Sequence, residues 1–251
     1  MIRKLLMGAA VLALSMPVSA AAPVIAPPVT PIPAITAQQH QLAAQLVRVL
    51  NSEDLTRLQI TKMLNDTLPK TMAGTPAFAA AEKAHPGITD AFIGAMRPVI
   101  LEGTISRLPS LWARLEPLYA RSFTAPELRT LVDFYTSPIG VRLIKAMGEG
   151  SDYSQMLGNM VARGSNKVTT EDLHAGIQTG VAATITKATD ADMKAMIALG
   201  ATSAGKKLPA INQQAQAEAA AWGNEEDPQL NAEVIKAVQG VVAKYTGKPV
   251  Q

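Results

Sequence analysis

The stretch FTAPELRTLVDFYTSPIGVRLIKAM, residues 123–147, predicts two short helices joined at a sharp corner. Thr124 and Glu127 have the spacing of a capping box, in which two side chains satisfy free backbone N–H groups of the first turn. Ser137 followed by Pro138 starts a second helix, because serine caps a helix and proline suits its first position. Each helix then carries one apolar face, formed by Leu128, Leu131, Val132 and Tyr135 and by Gly140, Leu143, Ile144 and Met147. We therefore expect a helical hairpin with its corner near Thr136.

The same pattern occurs again 65 residues later. Thr124, Glu127, Ser137, Gly140 and Arg142 correspond in register to Thr189, Asp192, Thr202, Gly205 and Lys207. We interpret this correspondence as an internal duplication and expect related hairpins at residues 124–147 and 189–211. The second copy has diverged, with Gly200 in place of Tyr135. It also contains Pro209, which predicts that its second helix starts late or kinks.

The most distinctive motif is Phe134-Tyr135-Thr136-Ser137-Pro138-Ile139-Gly140. Together with the run Tyr119-Ala120-Arg121-Ser122-Phe123-Thr124, the pair Glu127-Leu128 and the segment from Leu111-Trp112 to Leu118-Tyr119, it resembles the hallmark of the domain of unknown function 2059. The resemblance covers residues 101–147 and extends weakly to the second hairpin. It implies an all-helical, exported protein of the Gram-negative envelope. It implies no reaction, since the chemistry of that family is not established.

Residues 1–20 are typical of a cleaved secretory signal peptide. Arg3 and Lys4 precede an apolar run that is too short to span a bilayer, and Val18-Ser19-Ala20 offers a cleavage site. The chain has no cysteine that a lipid could modify. The expected location is therefore the periplasm. Residues 21–36 form a proline-rich linker, which we interpret as a semi-rigid spacer rather than a ligand for an aromatic groove.

Charge and composition exclude several classes of function. Loss of Arg3 and Lys4 with the signal peptide leaves 21 basic residues against 20 acidic ones, which argues against a nucleic-acid partner. The absence of cysteine removes thiol catalysis and thiolate metal sites. After signal cleavage no apolar run is long enough to span a membrane. No Walker A loop, dinucleotide-binding motif or Gly-x-Ser-x-Gly motif is present, and no cofactor is expected.

The rest of the chain also predicts helices, and no segment has the alternation of a strand. Pro98 is expected to bend one helix, and Ser110 to cap a new segment that leads into the hairpin. The predicted fold is all-α, a compact multi-helix domain built around the two hairpins. We divide it into an N-terminal half, residues 37–164, and a C-terminal half, residues 165–251.

No residue is assigned a catalytic, cofactor-binding or metal-binding role from the sequence. His174 and Glu171 have the spacing of a weak metal pair, but we interpret them as part of a solvated helix start. Ser137 is interpreted as a cap rather than a nucleophile. Tyr135 is interpreted as a packed ring with its hydroxyl bonded at the corner rather than a general acid.

The sequence leaves three functions open. The first is a non-catalytic binding or envelope-assembly module whose partner is an envelope protein. The second is a hydrolase or transferase with dispersed active-site residues, which a deep pocket with converging Ser, His and acidic side chains would favour. The third is a carrier of a small apolar ligand, which a closed cavity lined by methionines would favour. Homo-oligomerisation is compatible with each of them.

The signal peptide generates the first prediction. Mass spectrometry of the protein recovered from its native host should give an N-terminus near Ala21, because cleavage after Ala20 is expected. An intact Met1 on protein from the soluble cytoplasm would contradict it.

Overall fold

The computed structural model describes residues 34–165 and 167–247, which form helices and contain no strand. The predicted all-α class is confirmed. The predicted signal peptide lies outside the described residues, as does the predicted linker except for its last three residues.

The described residues form twelve α-helices and one π-helical turn. They are α1 Ala37–Leu50, α2 Glu53–Lys62, the π-helical turn Met63–Thr67, α3 Leu68–Ala73, α4 Pro76–Ala84, α5 Ile88–Ser122, α6 Ala125–Thr136, α7 Pro138–Gly150, α8 Ser154–Ala162, α9 Thr170–Lys187, α10 Asp190–Ala201, α11 Ser203–Gly223 and α12 Pro228–Thr246.

The longest helix, α5, is the central element of the fold. Helices α1, α2, α11 and α12 pack against it. Its buried side chains recur every three or four residues and include Phe92, Met96, Ile100, Leu108, Leu111, Leu115 and Leu118. Three prolines lie inside it without ending it. Burial of one continuous apolar face therefore outweighs the backbone hydrogen bonds that the prolines remove.

The predicted helix start at Ser110 is wrong, because Ser110 lies inside α5. Its hydroxyl donates to the Arg107 carbonyl at 2.7 Å and accepts from the indole N–H of Trp222 at 2.8 Å. Trp222 is fully buried on α11, and the Arg107 guanidinium lies 5.0 Å from the centre of its ring. The serine thus joins α5 to the C-terminal part of the chain instead of starting a helix.

A single residue, Ser137, joins α6 to α7. Its hydroxyl accepts from the Gly140 N–H at 3.1 Å and donates to the Phe134 carbonyl at 2.7 Å. A Cβ atom built on Gly140 would collide with the Phe134 carbonyl oxygen and lie 2.7 Å from Tyr135 Cα. The backbones of the two helices are therefore in contact, and only glycine fits at this position.

Helices α10 and α11 meet in the same way at Thr202. The Thr202 hydroxyl accepts from the Gly205 N–H at 2.9 Å and donates to the Leu199 carbonyl at 2.7 Å. A Cβ atom on Gly205 would collide with that carbonyl group. The late start predicted for α11 is wrong: the helix begins at Ser203 and contains Pro209. The Thr202 cap stabilises the first turn of α11, and Pro209 comes only after that turn.

Two ion pairs cross between these corners. Arg142 of α7 contacts Asp192 of α10 at 2.6 Å, and Lys207 of α11 contacts Glu127 of α6 at 2.8 Å. Glu127 and Asp192 are also the acidic members of the capping boxes that start α6 and α10. Each carboxylate thus caps its own helix and binds a cation from the other corner.

Burial alone would raise the pKa of Glu127, but hydrogen bonds outweigh it. Lys207 and Thr124, with Ser203, donate to the carboxylate and lower its pKa to about 2. Because the ordinary pKa of this side chain is 4.5, Glu127 remains ionised in the folded chain under conditions that protonate it in the unfolded chain.

The corner at Gly140 generates a stability prediction. Gly140→Ala should destabilise the protein by about 1–3 kcal/mol, because the added Cβ meets backbone that cannot move aside. The matched control is Gly94→Ala in α5, where a Cβ would meet nothing within 4 Å. That control should be stabilising by about 0.5–1 kcal/mol through helix propensity. Urea unfolding measures both, and equal effects in the two variants would contradict the corner geometry.

The Glu127–Lys207 pair generates a pH prediction. A carboxylate with a depressed pKa stabilises the fold above its unfolded pKa and loses that contribution as pH falls. Wild-type stability should therefore fall between about pH 5 and pH 2 more steeply than that of Glu127→Gln, which retains a capping side chain. Urea midpoints across this range test the difference. Glu149→Gln is the control, and its stability should fall as steeply as that of wild type. The reason is that Glu149 is exposed and its partner Lys145 lies 3.9 Å away. Parallel curves for wild type and Glu127→Gln would refute the prediction.

Candidate binding groove

The α6–α7 corner forms one side of a groove of about 940 Å³. Helix α1 and the start of α2 form its other walls. The lining residues are Gln41, Ala44, Gln45, Arg48 and Val49 of α1, Ser52, Asp54, Leu55 and Leu58 at the start of α2, Tyr135 of α6, and Val141, Ile144 and Lys145 of α7. We call this concavity the α1–α7 groove. Its volume lies within the range of small-molecule sites, about 300–1,000 Å³.

Two local features position the walls. Ser52 caps α2 by accepting from the Leu55 N–H at 3.3 Å, so α2 starts directly after the end of α1. On the opposite side Gly148 lets α7 approach α2, since a Cβ built there would lie 2.7 Å from the Leu55 side chain. The close approach of α7 to α2 sets the boundary of the groove at this side.

The apolar lining consists of residues from all three walls. Leu55 and Ile144 are buried, Val49 and Leu58 are partly buried, and Val141 is 53 % exposed. No histidine is among the described residues that line the groove, and no methionine either. The aliphatic part of the lining therefore suits an apolar ligand.

Tyr135 contributes a buried polar atom to this lining. Its ring is fully buried, as the sequence predicted, and packs edge-on against Phe134 with 5.1 Å between centroids. The prediction that its hydroxyl is bonded at the corner is wrong, because that oxygen has no hydrogen-bond partner within the described residues. Burial, with Tyr119 nearby, raises the pKa of Tyr135, so the phenol stays neutral. A buried hydroxyl without a partner costs about 1–3 kcal/mol.

The charged side chains at the groove are unequally neutralised. Arg48 lies 5.7 Å from the ring centre of Trp112 and forms no ion pair within the described part of the chain. Lys145 has only the distant and exposed carboxylate of Glu149. Asp54 is close enough to Arg57 that its charge, after the dominant bond from Glu102, helps to raise the Arg57 pKa. The groove therefore presents two cations with little compensation.

The wall on α1 was not predicted from the sequence. The apolar residues of that helix, Leu42, Leu46, Val49 and Leu50, indicate only the face that packs against the core. The polar side chains at Gln41, Gln45 and Arg48 recur at four- and three-residue intervals. This spacing places the three side chains along one stripe of the helix surface. That stripe is the signal from which the wall could have been predicted.

The other residues weighed from the sequence have local partners. His174 lies 3.3 Å from Gln216 and 3.2 Å from Gln178 rather than beside Glu171. His40 contacts Glu116 at 3.0 Å, and the ring of His85 packs near Tyr245. Within residues 34–165 and 167–247 no three His, Cys, Asp or Glu side chains cluster as metal ligands would. Ser137 has the predicted capping contacts described above.

A second, polar cavity of about 460 Å³ lies beside the π-helical turn. Lys62, Lys70, Asp66 and Asp152 are its charged residues. Lys62 contacts Asp66 at 3.1 Å, and the two lysines, after the bond from Ser154, help to lower the pKa of Asp152. These charges balance one another, so this cavity is the weaker candidate for a ligand.

Comparisons with known proteins identify one family. A family model described as "Uncharacterized protein conserved in bacteria (DUF2059)" matches residues 110–164. No curated protein matches the chain, and no solved structure does. In the described part of the chain no helix is both long and apolar enough to cross a bilayer. The match begins later than the predicted resemblance and continues through α8. It includes Tyr135 and the α7 wall of the groove, while α1 and α2 lie outside it. Residues 110–164 thus match the model of the domain of unknown function 2059, and the resemblance drawn from the sequence is confirmed over this segment.

Proposed function

We propose that this protein is a non-catalytic binding module of the bacterial envelope and that the α1–α7 groove binds its ligand. The observation that carries the proposal is the groove itself, a concavity between three helical walls with an apolar interior. Its size and lining are typical of sites that bind rather than transform a ligand.

The two alternatives have less support. A hydrolase or transferase would need a nucleophile beside a base, whereas Ser52 at the groove acts as the cap of α2. A closed, methionine-lined cavity was the expected sign of a carrier, but the groove is open along one side and its apolar residues are aliphatic. The proposed binding module and the carrier hypothesis have one element in common, a small ligand with apolar surface.

The location of this module is part of the proposal. We place it in the periplasm because residues 1–20 have the order of basic, apolar and small residues that a cleaved signal peptide requires. The proline-rich residues 21–36 would then separate the cleavage site from α1.

We also infer that the two corners arose by duplication of one hairpin. The crossed ion pairs support this inference, because the 65-residue shift converts Arg142 into Lys207 and Glu127 into Asp192. It therefore converts one ion pair into the other. The groove uses only the first corner, and Gly200 replaces the tyrosine in the second. We accordingly propose a supporting role for the second corner and a binding role for the first.

A neutral apolar probe tests the proposed function. N-phenyl-1-naphthylamine should bind the full chain saturably, with an increase in fluorescence as it leaves water. Val141→Asp should weaken this binding by about tenfold or more, because a carboxylate on the groove wall must be desolvated when an apolar guest binds.

The matched control is Ile197→Asp, which changes a side chain of similar exposure, 59 %, outside the groove. It should leave the affinity unchanged, and thermal unfolding should confirm that both variants are folded. Equal loss of affinity in the two variants, or no saturable binding by wild type, would refute the groove as the site.

A further inference from the structure

We infer that the ligand of the α1–α7 groove is a single-chain amphiphile with an acidic headgroup, of the kind represented by a fatty-acid carboxylate. The inference rests on the proposed function and specifies the chemical class of its ligand. Three properties of the groove lead to it: an excess of positive charge, an apolar interior and a concave rather than flat surface.

The charge selects an anion. Arg48 and Lys145 stand on different helices, α1 and α7, and both line the groove. Arg48 has no acidic partner within the described residues, and Lys145 has only one at 3.9 Å. Asp54 is the one acidic residue of the described lining, so Arg48, Lys145 and Asp54 together give the groove wall a net charge of +1. A carboxylate would complement the two cations, and a guanidinium can bind it with two parallel hydrogen bonds.

The interior selects an alkyl chain. Val49, Leu55, Leu58 and Ile144 supply aliphatic surface with no hydrogen-bonding groups of their own. Burial of an alkyl chain against this surface is favourable by about 0.8 kcal/mol for each methylene that leaves water. The cations and the aliphatic residues line the same groove, so a suitable ligand has both an acidic group and an alkyl chain.

The shape disfavours a folded protein as the occupant. A stable protein interface needs about 800 Å² from each partner. Among the large apolar residues that line the groove, only Val141 is more than a third exposed within the described part of the chain. The accessible apolar surface of the groove therefore comes mainly from Val49, Leu58 and Val141, which is enough for a slender chain and too little for a stable protein interface.

Displacement of N-phenyl-1-naphthylamine tests the inference with ligands that differ only in the headgroup. Dodecanoate below its micellar concentration should displace the probe at a concentration at least tenfold lower than dodecyltrimethylammonium. The double variant Arg48→Gln/Lys145→Gln should reduce this ratio to about threefold or less. Arg129→Gln, an exposed cation of α6 outside the groove, is the matched control and should keep the ratio.

Chain length provides a second, independent measurement. From octanoate to decanoate to dodecanoate the affinity should rise by about tenfold for each two methylenes, the gain expected for burial in an apolar interior. A flat series, equal displacement by the cationic amphiphile, or an unchanged ratio in the double variant would overturn the inference. In each case the neutral probe would still report the groove, so failure of the ligand class is distinguishable from failure of the proposed function.

Discussion

Two pairs of helices in this protein are joined by one residue each, and this constraint determines what the corners contain. With a single linking residue, the last turn of one helix and the first turn of the next must touch. Ser137 and Thr202 solve the hydrogen-bonding problem, since each hydroxyl accepts from the next helix and donates to the previous one. Gly140 and Gly205 solve the steric problem by omitting the Cβ. The crossed ion pairs and the α7 wall of the groove both depend on this geometry.

The helix caps at these corners could be predicted from the sequence. The capping boxes at Thr124 and Thr189 and the serine–proline start of α7 are found where the residues predict them. They were readable because a cap is an interaction over three or four residues, and its chemistry is complete within that span.

Features that depend on distant residues were not readable. Ser110 has the local appearance of a cap, but Trp222, 112 residues later, provides the competing partner. The Tyr135 hydroxyl lacks its expected bond because no described group packed around the buried ring lies within hydrogen-bonding reach, and the residues of α6 do not indicate this. The groove likewise requires α1 and α7 to lie near each other. The polar stripe on α1 therefore indicates a groove wall only once the positions of both helices are known.

The continuity of α5 has a consequence for how this protein is divided into parts. The family match starts at residue 110, in the middle of a helix that runs from Ile88 to Ser122. A fragment that began there would keep only the last part of α5 and would lack α1 and α11, which pack against that helix. Residues 110–164 are therefore a unit of sequence similarity and not a unit of folding. Excision would expose the leucines of α5 to water, and a recombinant fragment with these limits would be expected to aggregate.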